Sequence, residues 1–115
     1  MSQYLVLIYE DEAAWAAASD EEAAEFSGAH REFGQHYQDV LRGGNALQPT
    51  STATSVRVDR SGGVAVTDGA FAETKEALGG YYLVEAVDLD EALVVARQVP
   101  TRYGGVEVRP IMPVG

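Results

Sequence analysis

The chain begins with an unbroken apolar run. Residues 4–9 read YLVLIY, and the Val, Ile and Tyr content of this short run favours a β-strand. The run lacks the alternation of a half-exposed strand, so we expect both of its faces to be covered. Residues 10–18 are acidic and then alanine-rich around Trp15, which indicates a connection with one or two helical turns.

A helical pattern follows this connection. SDEE at residues 19–22 has the form of a capping box, with Ser19 at the N-cap and Glu22 three residues later. The pattern predicts one amphipathic helix of about six turns, ended by the glycine pair at residues 43–44. Its apolar stripe consists of Phe26, Ala29, Phe33, Tyr37, Val40 and Leu41.

The second half of the chain predicts mostly strands. Residues 52–59 alternate, RSGG at residues 60–63 has turn chemistry, and residues 64–68 return, which together predict a β-hairpin. Asp88 is the N-cap of a second predicted helix that Pro100 ends. The remaining extended segments are residues 45–50, 80–86 and 106–112.

Two helices that alternate with about four main strands predict a ferredoxin-like α+β sandwich, in which both helices cover one face of the sheet. The other face would expose large apolar side chains of the strands at residues 4–9 and 80–86. We therefore expect a homodimer that stacks the two open faces, as in a dimeric α+β barrel, and a ligand cavity between the subunits or beside the first helix. A monomer with one modestly apolar face is the alternative.

Length, composition and charge limit the classes of protein to which the chain can belong. The 115 residues fit one domain that spans residues 1–115. The net charge of -10 argues against nucleic-acid binding and against anionic membranes. The chain contains no cysteine, which excludes a disulfide or a thiolate metal site. Neither a membrane-spanning run nor a secretion signal is evident, so we expect a soluble, cytoplasmic protein.

The segment at residues 67–86, TDGAFAETKEALGGYYLVEA, is similar to the signature of the YCII-related, DGPF-type family of small bacterial proteins. The flanking segments at residues 53–58, 88–96 and 104–112 agree with this resemblance. Ala70 stands where the family usually has proline.

The resemblance implies a dimeric α+β barrel on a ferredoxin-like fold and no settled activity. It also implies a genomic neighbourhood of sigma factors, and a wider superfamily with muconolactone-isomerase-like and dehydrochlorinase-like enzymes. A His and an Asp near the cavity have been suspected as acid/base groups in this family. His30 matches the His, whereas no Asp beside it matches the second group.

Several residues are candidates for chemistry. His30 lies on the apolar stripe of the first helix and could act as a general acid/base or be a satisfied structural histidine. In the signature segment, Asp68 could accept a proton, and the ligand-binding candidates are Glu73, Lys75, Arg57, Arg109 and Tyr81. The structural alternative is a turn at Asp68, with the charged side chains in ion pairs and Tyr81 in packing. We expect neither a cofactor nor a metal.

Three functions are therefore compatible with the sequence. The first is a homodimeric small-molecule-binding protein with its cavity near the first helix and residues 68–80. The second is a lyase or isomerase acting on a small acidic or cyclic compound, with His30 and a carboxylate as acid and base. The third is a protein-interaction module that acts with a regulatory partner in sigma-factor-linked signalling.

Overall fold

The computed structural model describes residues 1–71 and 74–113, which form two antiparallel sheets and three α-helices. Six strands belong to these sheets: β1 Ser2–Asp11, β2 Leu41–Ala46, β3 Thr54–Val58, β4 Val64–Asp68, β5 Glu76–Ala86 and β6 Gly104–Pro110. The helices are α1 Glu12–Ala16, α2 Asp20–His36 and α3 Leu89–Ala96, and a short 3-10 turn covers Thr50–Thr52.

The main sheet has four strands in the order β2-β5-β1-β6, and every neighbouring pair is antiparallel. The two central strands, β1 and β5, each lead into a helix and then to an edge strand. This arrangement of two interleaved β-α-β units is the ferredoxin-like fold. The predicted α+β class is therefore confirmed, and the predicted hairpin is confirmed as a separate two-stranded sheet, β3-β4.

The core lies between the helices and one face of the main sheet. Alternate residues of β1 point to this face, and Val6 there is fully buried. Val84 on β5 is also fully buried, and Phe33 of α2 and Val95 of α3 pack against both strands. Burial of these side chains supplies most of the driving force that holds the two helices on the sheet.

Helix α2 is shorter than the sequence pattern predicts. It ends at His36 with Tyr37 as the C-cap, and the amides of Val40 and Leu41 then bond back to the Tyr37 carbonyl in a turn. From Leu41 the chain pairs with β5, so the glycine pair lies in strand β2 and does not end the helix. Pairing with β5 satisfies the backbone at these positions and overrides their helical spacing.

The close approach of β2 to β5 explains one of these glycines. A Cβ atom on Gly44 would lie 2.9 Å from the Tyr81 carbonyl oxygen and 2.7 Å from Tyr82 Cδ1. Both distances are shorter than any ordinary van der Waals contact, so a side chain at this position would displace the strand.

The predicted N-caps are confirmed. The Ser19 hydroxyl accepts a hydrogen bond from the Glu22 amide at 3.1 Å, and Asp88 accepts from the Glu91 amide at 2.9 Å. The Glu22 carboxylate does not complete a capping box in the usual way. It binds the Tyr103 hydroxyl at 2.8 Å, and thereby ties the start of α2 to the segment that precedes β6.

The second face of the main sheet, here called the open face, carries no helix in the described part of the chain. Its centre is the half-buried apolar side chains of Leu5, Leu7 and Leu83. Two ion pairs flank this centre, Arg42–Glu85 at 2.7 Å and Arg109–Glu107 at 2.6 Å. None of the helices in residues 1–71 and 74–113 is both long and apolar enough to cross a membrane.

Candidate functional site

A cavity of about 860 Å³ lies between the two N-terminal helices and the β2–β5 edge of the sheet, partly open to solvent. Strand β1 enters it at Glu10, α1 contributes Trp15, and α2 contributes Phe26 and His30. The opposite wall comes from β2, the segment at residues 47–51 and the middle of β5. The cavity therefore lies beside the first long helix, which is one of the two locations that the sequence suggests.

A row of rings in tilted and edge-to-face contact forms one side of the cavity. The Trp15 and Phe26 ring centroids are 4.5 Å apart, and those of Phe26 and His30 are 4.6 Å apart with the rings nearly perpendicular. Helical spacing of four residues places Phe26 and His30 one above the other on α2. Tyr103 packs edge-on against Trp15 at 5.1 Å and supports the row from the far side.

The row ends at a hydrogen-bonded histidine–tyrosine pair. His30 Nδ1 lies 2.7 Å from the hydroxyl oxygen of Tyr82, and both side chains are half-buried. Tyr82 lies on β5 with the parity of the fully buried Val84, so strand alternation points its ring toward α2. The pair joins the helix to the sheet and places a nitrogen and a hydroxyl together in the cavity.

Burial changes the protonation equilibria of this pair. Desolvation lowers the pKa of His30 below its ordinary value, and a hydrogen bond to the Pro100 backbone carbonyl and the charge of Glu10 only partly offset this effect. Desolvation also raises the pKa of Tyr82 above its ordinary value. Both groups are therefore neutral at pH 7.

Two carboxylates lie in the same cavity, at the point where β1 runs into α1. Glu10 is only 7% exposed, and its oxygens accept hydrogen bonds from the backbone amides of Arg102 at 3.1 Å and Tyr103 at 2.7 Å. Glu12 accepts from the Thr50 amide at 2.9 Å and from the Thr50 hydroxyl. Glu12 thus holds the segment around Thr50 at the cavity wall.

The charge of the cavity has one sign. Glu10 and Glu12 are its acidic groups, and the described lining includes neither Arg nor Lys. Arg102 lies nearby on the loop before β6, but its guanidinium pairs with Glu22 at 3.0 Å. Arg42 at the sheet edge pairs with Glu85 on the open face. A ligand would therefore meet carboxylates, hydroxyls and aromatic rings.

Of the residues that the sequence proposes for the site, the structure places His30 and Tyr81 in the cavity. The Tyr81 hydroxyl accepts a hydrogen bond from Asn45 Nδ2 at 2.9 Å, which fixes the ring beside the β2 edge. Tyr81 lies opposite Leu7 in the β1–β5 register, so strand alternation gives its ring the parity of the open face, and only Tyr82 points toward α2.

Asp68 does not lie beside His30, because it ends β4 in the separate hairpin, and the described cavity lining does not include it. Gly69 follows with a φ of +96°, so these two residues turn the chain, as the structural interpretation of the segment predicts. The Gly69 carbonyl accepts from the Ser55 hydroxyl at 2.6 Å. This part of the family signature holds the base of the hairpin.

The proposed cationic and acidic partners also lie elsewhere. The Arg57 guanidinium packs over the Phe71 ring at 4.8 Å on the hairpin, and Arg109 pairs with Glu107 on the open face. Lys75 is exposed before β5 and is not part of the described cavity lining. Glu73 lies outside the described residues.

Sequence reasoning missed most of the other cavity groups. Tyr82 is not among the predicted site residues, although its parity with Val84 on β5 places it on the helix side. The sequence pattern assigns Trp15 to a connection. A single tryptophan next to acidic residues was the one signal there that could have indicated a site residue. Glu12 and Thr50 are 38 positions apart, and no local pattern links them.

Within residues 1–71 and 74–113, no group of three or more His, Asp or Glu side chains is arranged to hold a metal ion. The described cavity lining brings together aromatic rings, hydroxyls, one imidazole and two carboxylates. Fold and site together define a small ferredoxin-like α+β protein with a cavity beside its first long helix.

Two comparisons with known proteins identify the family of the chain. The family model of the YCII-related domain matches residues 2–115. A curated relative, an uncharacterised protein of Rhizobium meliloti (strain 1021), is 38% identical over 117 aligned positions, which cover 94% of this chain and 90% of the relative. The chain belongs to the YCII-related family, as the signature segment indicated.

Proposed function

We propose that this YCII-related protein binds a small organic molecule in the cavity beside α2. The observation that carries the proposal is the cavity itself. Its volume of about 860 Å³ lies within the range of small-molecule sites, which is roughly 300–1,000 Å³. Its surface is predominantly apolar, and a few polar groups converge on it, which is the usual composition of such sites.

The histidine–tyrosine pair supports a ligand role. An apolar pair of similar volume could fill the same space without the desolvation that shifts both pKa values. Titratable groups with shifted pKa values in a cavity are typical of functional sites. His30 and Tyr82 therefore offer a ligand a hydrogen-bonding pair at one end of an aromatic wall.

A ligand screen tests the proposal. Trp15 is the only tryptophan in the chain and lines the cavity, so its fluorescence reports occupancy directly. We expect compounds that raise the melting temperature to change Trp15 emission with a saturable dose dependence. At a hundredfold excess over Kd the stabilisation is about 2.7 kcal/mol.

Two matched variants make the screen specific. Tyr82→Phe removes the hydroxyl that faces His30, whereas Tyr4→Phe removes a hydroxyl from the buried β1 position outside the described lining. Tyr82→Phe should weaken a hit about tenfold, and Tyr4→Phe should leave its affinity unchanged. Hits whose affinity is the same in all three proteins, with no Trp15 response, would refute the cavity as the site.

We also propose that two copies of the chain associate through their open faces. Leu5, Leu7 and Leu83 form an apolar strip there, and ion pairs flank it, which matches the apolar centre and polar rim of many interfaces. A stable interface of standard size buries roughly 800 Å² per partner. A four-stranded sheet face is large enough to supply this area.

An enzyme is the second candidate function, and the 2.7 Å contact between His30 Nδ1 and Tyr82 favours it. If a bound substrate replaced the hydrogen bond between the two side chains, the neutral imidazole could remove a proton through Nδ1, and the released phenol could donate a hydrogen bond to the charge that develops. Lyases and isomerases need this pair of roles.

The enzyme hypothesis has its own test. Turnover of a screening hit should increase with pH through the lowered pKa of His30 and reach a plateau above about pH 6.5, where the imidazole is neutral. Binding without turnover in the wild-type protein would leave a binding protein and contradict the enzyme. The interaction module and the cytoplasmic location stay predictions.

A further inference from the structure

We propose that the ligand of this cavity is an organic cation, namely an ammonium group attached to an apolar or aromatic body. This inference rests on the proposed ligand-binding function and assigns the chemical class of the ligand. Three features of the cavity carry it: the sign of its charges, the rings of its wall, and the hydrogen-bonding capacity of its polar groups.

The charges favour a cation. Glu10 and Glu12 both line the cavity, and the described lining offers no Arg or Lys to hold an anionic group. The oxygens of each carboxylate accept hydrogen bonds from the protein, but a carboxylate oxygen has two lone pairs and can accept another. An anionic ligand would lose its hydration and meet two like charges, which is strongly unfavourable in a partly buried site.

The aromatic wall favours the same class. Trp15 and Phe26 line the cavity together, and the negative faces of such rings attract ammonium groups. Trp15 is held from both sides, by Phe26 at 4.5 Å and by Tyr103 at 5.1 Å, so little entropy is lost when a ligand stacks on it. The same rings would bury the apolar body of the ligand.

The polar groups are suited to receive N–H donors. The carboxylate oxygens of Glu10 and Glu12 are hydrogen-bond acceptors in the cavity lining. His30 is neutral near pH 7, so it adds no positive charge that would repel an ammonium. These acceptors suit a group with up to three N–H donors.

Three probes of similar size test the inference: phenethylamine as the cation, phenethyl alcohol as the neutral analogue and phenylacetate as the anion. Trp15 fluorescence and calorimetry measure their Kd values for the full chain at pH 7, where the amine is charged. We expect the amine to bind about tenfold more tightly than the alcohol, and phenylacetate to bind most weakly.

Glu12→Gln is the variant that probes the charge. Gln retains the size of the side chain and one acceptor for Thr50, so its main effect is to remove a negative charge. It should abolish most of the preference for the amine over the alcohol. Glu32→Gln is the control, since Glu32 is exposed on α2 outside the described lining, and it should leave the preference unchanged.

The outcomes separate the inference from the function on which it rests. Three outcomes would contradict a cationic ligand but keep the cavity as a ligand site. Phenylacetate could bind most tightly, or the three probes could bind equally, or none of them could bind while other compounds give a saturable Trp15 response. If no compound of the screen perturbs Trp15, the ligand-binding function fails as well. Should Glu12→Gln fail to fold, the probe series on the wild-type protein still decides the question.

Discussion

At the scale of single residues, His30 connects the sequence pattern to the site. Its position on the apolar stripe of α2 directs the ring into the molecule, and its hydrogen bond with Tyr82 then fixes the ring in the cavity. Burial of the imidazole costs solvation of its charged form, which is why the pKa is lowered. The same shift makes the stability of the fold depend on pH.

The sign of this dependence follows from proton linkage. The pKa of His30 in the folded protein lies below that in the unfolded chain, which is about 6.5, so the unfolded chain binds more protons in the interval between them. The contribution of His30 is therefore fully present above pH 6.5 and is lost as the pH falls through the folded-state pKa.

We expect His30→Gln to reduce the loss of stability between about pH 7 and pH 5.5, relative to wild type. Urea unfolding at several pH values measures the difference. His36→Gln serves as the control that separates His30 from the other histidine in the chain. A wild-type protein and a His30→Gln variant with parallel stability profiles would contradict the assigned burial of the imidazole.

At the scale of elements, features set by neighbouring residues were predictable from the sequence, whereas the pairing of distant segments was not. The caps at Ser19 and Asp88 and the hairpin turn depend on a few neighbouring residues, so the sequence predicts them correctly. The end of α2 depends on the pairing of Leu41 with β5, which no local spacing encodes. The pattern of apolar residues alone therefore overextends the helix.

The candidate site shows the same contrast between local sequence pattern and contacts of distant residues. His30 was predictable, because helical spacing and side-chain type identify it. Its contact with Tyr82 joins residues 52 positions apart, and the contact of Glu12 with Thr50 joins residues 38 apart. The most distinctive sequence segment, around Asp68, proved to be turn and hairpin structure in its described part. The β5 part of the same signature does reach the cavity, whose described lining includes Ala77, Gly79, Gly80, Tyr81 and Tyr82.

Strand β6 offers a sharp test of the sheet register. A Cβ atom on Gly104 would overlap the Tyr9 carbonyl of β1, whereas a Cβ atom on Gly105 would meet nothing within 4 Å. Gly104→Ala should therefore lower the free energy of unfolding by about 3 kcal/mol or more, and Gly105→Ala should change it by less than about 1 kcal/mol. Chemical denaturation of both variants measures this contrast, and equal effects would contradict the β1–β6 register.

At the scale of the whole molecule, the open face determines the expected assembly. Leu7 lies at the centre of the apolar strip on β1, and covering that strip would remove apolar surface from water. The ligand cavity lies toward the helices and the β2–β5 edge. Association and ligand binding are therefore proposed for different surfaces, and each can be disrupted separately.

We expect Leu7→Arg to convert a wild-type dimer to a monomer in sedimentation equilibrium at micromolar concentration, because it places a charge in the apolar strip. Val94→Arg is the matched control, because Val94 is 57% exposed on α3, away from the open face. This variant should stay dimeric. A monomeric wild-type protein would contradict association through the open face.

The proposal that the cavity binds ligands is tested most directly by a ¹H–¹⁵N NMR titration with the tightest compound from the screen. We expect saturable shifts at the Trp15 indole and at the amides of His30, Tyr81 and Tyr82, while the hairpin signals stay fixed. Shifts that never saturate, or that cluster on Leu5, Leu7 and Leu83 of the open face, would contradict a ligand site beside α2.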